Sequence, residues 1–270
     1  MPHLLDVRLP EDFDAGSLTG SVNHCVFEVG FLAGLPEGWS KDSDIRVIGS
    51  SPESVEARMA LEKLERAGYS KVCLHDEAPP PATKTIPPPV TGTRTLDGES
   101  SGMVWTGRNL FNSHTGTLGF SAGELHFEGG QLTGGSMTID FATLQCTDLA
   151  GTEMHDVLIR HLLDHDFFDA EHYDAPTIAI ESVEVAQAVP PGAVNTRVSA
   201  TLTLKGKSGP VRFGAVSGFG PDGRFALQGS LHFDRTEWGV VYGSGRLFKN
   251  VGMHLVNDLI TLDVRLLSKA

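Results

Sequence analysis

The chain has 270 residues, a hydrophobic content of 40% and a formal net charge of −13 at pH 7. This length accommodates one large domain or two of ordinary size. The negative charge argues against a nucleic-acid partner and against attraction to an anionic membrane surface, because both require an excess of basic residues. The N-terminus lacks the apolar core of a signal peptide, and no apolar run approaches the ~20 residues that span a bilayer, so we expect a cytoplasmic protein.

The N-terminal part of the sequence has an α/β pattern. Short apolar runs predict strands at Leu4–Val7, Ile45–Ile48 and Val72–Leu74. A helix is predicted directly after the second run, with Ser51 as its N-cap and Pro52 at its first position. We expect these elements to form a small α/β domain.

A change in composition separates this domain from the rest of the chain. Residues 78–100 contain two proline triplets and little apolar periodicity, which predicts an extended, semi-rigid linker between a domain at 1–77 and one at 101–270. The second domain has many short runs of alternating apolar and polar residues separated by glycine-rich turns, which favours an antiparallel barrel or a sandwich. One helix, at 152–166, interrupts this pattern.

The first domain resembles a rhodanese domain. The stretch LLDVRLPEDFDAGSLTGSVN is similar to the opening signature of that family, and residues 47–60 align with its long catalytic loop. In this alignment the two family cysteines fall at Gly49 and Ser54, and Ser50 and Ser51 lie between them. A serine hydroxyl cannot hold a persulfide as a low-pKa thiolate does, so the resemblance implies a catalytically dead module.

Three interpretations of this degenerate loop remain open from the sequence. It is a leftover scaffold or docking domain, an anion site formed by backbone N–H groups around Ser50–Ser54, or part of a sulfur-linked enzyme. The missing cysteines favour the first interpretation.

The second domain resembles the YceI-like, polyisoprenoid-binding family. The stretches that carry the resemblance begin at Trp105 and include WTGRNLFNSHTGTLGF, IRHLLDHDFFDAEHYDAPTIAI, VSATLTLKGKSGPVRF and HFDRTEWGVVYGSG. The resemblance implies a lipocalin-like antiparallel barrel with an inserted helix, whose lumen binds an isoprenoid-like lipid such as a polyprenyl phosphate or a quinone. It implies a non-enzymatic protein without a cofactor. Members of this family often form dimers, so a homodimer is a candidate assembly.

Eight residues are candidate ligand contacts on this basis. They are Trp105, Phe120, Phe141, His161, Phe167, Phe168, Arg235 and Trp238. For Phe167, Phe168 and Trp238, packing in the core is the alternative role. For Arg235, the alternative is a structural salt bridge at a strand end.

The histidines and cysteines are the candidates for metal ligands in this sequence. His161 and His165 have the i,i+4 spacing that places two ligands on one helix face, but no HExxH motif accompanies them. Cys25, Cys73 and Cys146 are far apart and fit neither a disulfide framework nor a zinc ribbon. We therefore predict no metal site, and reduced cysteines.

A second functional class stays open. If side chains fill the barrel completely, the protein is better described as a stress or interaction protein, with the first domain used for docking or anion sensing. The volume of the lumen distinguishes this alternative from lipid binding.

Overall fold

The structure is a computed structural model that describes residues 2–80, 89–186, 189–190, 192–249 and 255–270. The chain divides into two compact units, Met1–Pro87 and Pro88–Ala270.

The described part of the first unit contains a four-stranded parallel sheet with the strand order β2-β1-β3-β4. The strands are β1 (His3–Asp6), β2 (Ser21–Asn23), β3 (Asp44–Ile48) and β4 (Lys71–Leu74), and the helices are α1 (Pro10–Ala15) and α2 (Val55–Arg66). Three of these strands were predicted, and β2 was not. The core between the sheet and α2 is apolar and includes Leu5, Ile45, Val47, Ala60 and Leu64.

The predicted start of α2 was wrong by three residues. The helix begins at Val55 with Ser54 as its N-cap, whereas Ser51 and Pro52 belong to a turn closed by the hydrogen bond from Ser54 N to Ser51 O at 3.1 Å. The fixed φ of proline suits the second position of a β-turn as well as the first turn of a helix, and here the turn is formed. The helix stops before Gly68, whose φ of +87° ends it.

The second unit is an antiparallel barrel. Within the described residues, eight strands close into a ring with the order β6-β13-β12-β11-β10-β9-β8-β7, and β7 pairs again with β6. The strands are β6 (Gly102–Arg108), β7 (Ser113–Glu128), β8 (Gln131–Cys146), β9 (Thr177–Val185), β10 (Thr196–Leu204), β11 (Lys207–Phe219), β12 (Phe225–Asp234) and β13 (Leu259–Leu267). The predicted all-β architecture is therefore confirmed as a barrel.

The predicted linker extended too far towards the C-terminus. A further strand, β5 (Gly92–Thr95), pairs with β7, and the buried Leu96 forms a bridge with Ser268. Asp97 is ion-paired with Arg224 of the barrel. The β-branched residues that follow the second proline triplet allow this pairing, so the barrel unit begins before residue 92. Residues 81–88 of the predicted linker lie outside the described residues.

Two helical segments interrupt the barrel. Helix α3 (Glu153–Leu163) connects β8 to β9, as predicted, and a 3₁₀ turn at Arg235–Trp238 follows β12. In the part of the chain that the structure describes, no helix is both long and apolar enough to cross a bilayer.

The two ends of the barrel differ in how their interior is filled. At one end Phe127, Phe219 and Phe225 form a cluster with ring-centroid separations of 5.0–5.5 Å. Such aromatic packing leaves little space for a ligand. The other end, where β8, β10 and β12 finish, is the one that holds the cavity described next.

Candidate ligand-binding cavity

A cavity of about 310 Å³ occupies the end of the barrel opposite the Phe127 cluster. The inward positions of the strands supply both aliphatic and aromatic side chains to its wall. Helix α3 contributes three residues to its wall, Leu158, His161 and Leu162. The aliphatic lining residues include Leu118, Ile139, Leu144, Leu158, Leu162, Leu202, Leu204 and Leu262.

Six of the eight predicted contact residues line this cavity. They are Trp105, Phe141, His161, Phe167, Phe168 and Arg235. They come from β6, β8, α3, the segment after α3, and the 3₁₀ turn. The barrel therefore brings together residues that are up to 130 positions apart in the sequence.

Phe120 and Trp238 do not line the cavity. Phe120 is buried on β7, two residues beyond Leu118 towards the packed end of the barrel. Trp238 is buried, its Nε1–H donates to Leu202 O at 2.9 Å and its ring packs edge-to-face on Phe233 at 5.3 Å. For Trp238 the alternative role in the core is the one observed.

Trp105 bridges two strands at the wall of the cavity. Its Nε1–H donates to Gln145 O on β8 at 3.0 Å, and its indole ring lies over Gly116 of the intervening strand β7. A Cβ atom at Gly116 would lie 2.7 Å from the indole and would collide with Gln145 O, so only glycine permits this close approach. The indole is thus held in a fixed orientation beside the ligand space.

An aromatic cluster closes the cavity on the side of α3. The ring of His161 lies edge-on to Tyr242 at 4.5 Å and to Phe167 at 5.8 Å, and Phe168 stacks on Phe141 at 5.1 Å. Lys205 holds the phenylalanine segment in place by donating from Nζ to Phe167 O at 2.8 Å. Tyr242 was not predicted as a lining residue, although it lies within the HFDRTEWGVVYGSG stretch.

Arg235 is buried, with 1% of its surface exposed, and its guanidinium lies 5.6 Å from the ring centroid of Phe167. It donates hydrogen bonds to the carbonyl oxygens of Asn257, Val240 and Val256 at 2.7–3.0 Å, and Asp258 lies 3.6 Å away. Burial lowers the pKa of Arg235, and the Asp258 carboxylate opposes this shift. The arginine is therefore a structural tie that also presents its charge to the cavity.

Comparison with known proteins decides the family of this barrel. Residues 95–267 match the YceI-like domain, which is more than half of the chain. The chain belongs to the YceI-like family. The prediction made from the motifs that begin at Trp105 is thereby confirmed, whereas the rhodanese-like interpretation of residues 1–77 stays a prediction.

Several solved structures are similar to the YceI-like unit. Burkholderia cenocepacia BcnA is 21% identical with a TM-score of 0.49, over 64% of this chain and 99% of its own. A polyisoprenoid binding domain from Saccharophagus degradans, implicated in plant cell wall breakdown, is 17% identical with a TM-score of 0.45, over 67% of this chain and 99% of its own. The Campylobacter jejuni YCEI protein is 19% identical with a TM-score of 0.38, over 56% of this chain and 83% of its own. None of the curated proteins compared with the chain matches it.

Polar groups surround the mouth of the YceI-like cavity. Arg108, Asn109, Asn112 and His114 line it on the side of the β6–β7 connection. His161 and Tyr242 supply further hydrogen-bonding groups on the opposite side. An apolar interior with a few polar groups at one end is the usual form of a site for an amphiphilic ligand.

His114 belongs to a compact set of potential metal ligands with Cys146 and Asp148, whose ligand atoms lie within 4.8 Å of one another. Burial of Asp148 opposes ionisation, but hydrogen bonds from the Thr115 N–H, His114 and Cys146 outweigh it and lower the pKa of Asp148 to about 2. Burial and the hydrogen bond to Asp148 raise the pKa of the Cys146 thiol to about 11. These internal bonds fix the start of β7 to the end of β8.

The expected pairing of His161 with His165 on one helix face is wrong. Helix α3 ends at Leu163, so His165 lies beyond it. His165 is exposed and bonded to Asp164 at 2.9 Å, which raises the pKa of its imidazole, whereas His161 faces Tyr242. All three cysteines are free thiols, as predicted, and the absence of a metal site stays a prediction.

The degenerate loop of the first unit is closely packed. A Cβ atom at Gly49 would lie 2.0 Å from Ser54 Oγ. The two positions that the sequence aligns with rhodanese cysteines are therefore in contact. The N–H of Ser50 donates to Glu56 Oε1 at 2.7 Å. Burial of Glu56 opposes ionisation, but hydrogen bonding from Ser50 outweighs it and lowers the pKa of Glu56 to about 2. A carboxylate of the chain itself thus occupies the N–H that an external anion would use, and Ser51 lies in the preceding turn.

Proposed function

We propose that the barrel binds an isoprenoid-like lipid, a polyprenyl phosphate or a quinone-like molecule, and carries or sequesters it without chemical conversion. The observation that carries this proposal is the apolar cavity of about 310 Å³ in one half of a barrel whose other half is packed. Its volume falls at the lower end of the ~300–1,000 Å³ typical of ligand pockets. Membership of the YceI-like family supports the same function.

The cavity volume indicates how much of such a ligand would be enclosed. A dry protein cavity of ~150 Å³ binds benzene, which corresponds to about 25 Å³ per carbon atom. On that scale the cavity holds about a dozen carbon atoms, or two to three isoprene units. The part of a longer chain beyond this length would lie outside the cavity.

The polar groups at the mouth suit the head of such a ligand. Arg108 at the mouth and the buried Arg235 in the cavity wall carry positive charge, and His161 and Tyr242 offer hydrogen bonds to a phosphate or to a quinone oxygen. The long hydrocarbon tail would contribute most of the binding free energy through the hydrophobic effect.

The cavity and the loop at residues 49–54 bear on the two alternatives, an interaction protein and an active first unit. A cavity in the barrel favours lipid binding over an interaction protein with a filled lumen. The contact between Gly49 and Ser54, and the Glu56 carboxylate at the loop, favour a catalytically dead first unit that serves as a scaffold or docking module. A cytoplasmic location and a homodimer remain predictions from the sequence.

Titration with farnesol, a short isoprenoid alcohol, tests the proposal. Trp105 lines the cavity, so its fluorescence should change on binding, and a Trp105→Phe variant identifies that signal. Replacing Gly107 by phenylalanine should fill the cavity, because a Cβ atom there would have only Ile260 Cδ1 nearby, at 3.9 Å. We expect this variant to bind farnesol at least about tenfold more weakly, the loss that follows from 1.4 kcal/mol of lost burial.

The matched control is Gly218→Phe. Gly218 stands on β11, and a Cβ atom there would meet nothing within 4 Å, so the ring would remain outside the lumen. Farnesol binding should be unchanged in this control. Saturable binding that is equally strong in both variants would place the ligand elsewhere and reject the proposed site.

A further inference from the structure

Exposed large apolar side chains lie beside the mouth of the cavity, and they include the two most exposed ones in the described part of the barrel, Leu110 and Phe111. Two Leu-Phe pairs stand out, and they occur in segments that are far apart in the sequence. Leu110 and Phe111 are 77% and 82% exposed, and Leu247 and Phe248 are 53% and 47% exposed. Water-exposed apolar clusters of this kind on a folded protein usually mark an interaction surface.

The first pair is at the tip of the β6–β7 hairpin. The side chain of Asn109 accepts hydrogen bonds from Phe111 N at 2.9 Å and from Asn112 N at 2.7 Å, and Asn109 N donates to Asn112 O at 2.8 Å. These bonds define a tight turn that projects Leu110 and Phe111 outwards. Asn109 and Asn112, on either side of the pair, line the cavity.

The second pair follows the 3₁₀ turn. Leu247 N and Phe248 N both donate to Ser244 O, at 3.2 and 2.9 Å, and Arg246 is ion-paired with Asp234 at 2.9 Å. This segment is therefore also held in a defined conformation with its apolar side chains in water.

Both pairs lie at the same end of the barrel. Asn257 N donates to Arg108 O at 2.7 Å, and Val256 N donates to Gly243 O at 2.8 Å, so residues 256–257 connect the two segments. Val256 itself lines the cavity, between them. We define the mouth tips as Leu110, Phe111, Leu247 and Phe248.

Basic residues flank each pair. Arg108 precedes the first and Lys249 follows the second, whereas Arg246, directly before the second, is ion-paired with Asp234. Apolar side chains next to Arg and Lys are typical of protein segments that enter the interface of a bilayer, where the cations meet lipid phosphates. With a net charge of −13 the chain is not drawn to anionic membranes, so insertion of the apolar side chains has to provide the attachment.

We propose that the mouth tips insert into the surface of a phospholipid bilayer and place the cavity entrance against it. The bilayer is the source or the acceptor of the lipid, and in this respect the inference rests on the proposed function. An apolar ligand would then pass between membrane and lumen without crossing water, which is costly for a hydrocarbon chain.

Flotation of the full chain with vesicles of pure phosphatidylcholine tests this docking. Two double variants, Leu110→Ser with Phe111→Ser and Leu247→Ser with Phe248→Ser, should each reduce the vesicle partition coefficient about tenfold or more. Val194→Ser is the control within the barrel, because Val194 is 61% exposed and precedes β10 at the opposite end. It should bind vesicles like the unmodified chain.

A second measurement does not depend on loss of binding. In Phe111→Trp the added indole should show a blue-shifted emission with phosphatidylcholine vesicles that the unmodified chain lacks. No partition of the unmodified chain to vesicles, equal partition of the double variants, or no blue shift would overturn the docking. A concentration-dependent dimer that both double variants abolish would also overturn it, because a second copy of the chain would then be the occupant.

Farnesol binding in the absence of vesicles separates this inference from the proposed function. The tip variants should bind farnesol normally, since their side chains lie outside the cavity. If the unmodified chain fails to bind farnesol but still floats with vesicles through its tips, the proposed ligand is wrong and the docking surface stands.

Discussion

Trp105 on β6 packs directly on Gly116 of the neighbouring strand β7. This contact lets the indole of Trp105 reach a carbonyl group of β8, the next strand in the barrel. The Nε1–H of Trp105 donates to Gln145 O at 3.0 Å across the bare backbone of Gly116. Strands β6, β7 and β8 are thereby tied together at the wall of the cavity, where a rigid aromatic surface is useful for an apolar ligand.

Replacing Gly116 by alanine should break this tie. The new methyl group would lie 2.7 Å from the indole and would also collide with Gln145 O, so either the backbone of β7 or the Trp105 ring must move. Overpacking of this kind costs about 1–3 kcal/mol, and we expect that loss in urea unfolding together with a red shift of the Trp105 emission. Gly218→Ala, at an open position of β11, is the control and should change neither quantity.

Arg235 and Arg246 both approach Asp258, but they should differ in their contribution to stability. Arg235 is buried and satisfies three carbonyl groups, whereas Arg246 is largely exposed. Arg235→Met should cost about 3–5 kcal/mol, because it leaves buried acceptors and a carboxylate without a partner. Arg246→Met should cost no more than about 1 kcal/mol, as for other surface ion pairs. Equal losses in chemical denaturation would show that Arg235 is not the structural tie described above.

The barrel could be predicted from the sequence because two independent signals agreed. Period-two alternation indicated strands, and the motifs beginning at Trp105 indicated the family. The N-terminal start of α2 could not be fixed, since Ser51 and Pro52 fit both a helix start and a β-turn. Strand β2 was missed because three residues are too few to show a period.

Part of the lining of the candidate cavity could be predicted, because the residues lie in a family motif. Phe167, Phe168 and His161 lie in a recognisable motif, and they line the cavity. The mouth could not be predicted. It depends on the hydrogen bond between Asn257 N and Arg108 O, which joins two segments far apart in the sequence and leaves no local pattern. Phe120 and Trp238 were predicted to contact the ligand but do not line the cavity. A single sequence does not show at which level of the barrel axis an inward side chain lies.

The pH dependence of the first unit should report on Glu56. Its pKa in the folded chain is about 2, below the ordinary value near 4.3, so its stabilising contribution is complete above about pH 4.5. That contribution is lost as the pH falls towards about 2, because the carboxyl group of Glu56 is then protonated in the folded state as well as in the unfolded state. Glu56→Gln should therefore be less stable than the unmodified chain at pH 7, and the difference should vanish near pH 2 in calorimetric unfolding. A difference that persists at pH 2, or a similar effect of Glu53→Gln in the neighbouring turn, would contradict this role.

Restoring a cysteine at Gly49 should not create a sulfurtransferase. The new Cβ atom would lie 2.0 Å from Ser54 Oγ, and the nearby Glu56 carboxylate disfavours a thiolate. We expect Gly49→Cys to destabilise the first unit and to show only background thiosulfate:cyanide activity. Adding Ser54→Gly should recover only part of the stability, because it removes the clash with Ser54 Oγ but leaves Ala57 Cβ 2.8 Å from the new Cβ atom, and it should not restore activity. Turnover at the rate of an active rhodanese in either variant would refute this account of the loop.

Native mass spectrometry of the full chain purified from cells tests lipid binding in the barrel most directly. We expect a non-covalent apolar adduct on the unmodified chain and on Gly218→Phe, and its loss from Gly107→Phe, in which the added ring fills the cavity. An unmodified chain that carries no adduct, and takes up neither a polyprenyl phosphate nor a quinone when these are added, would contradict it.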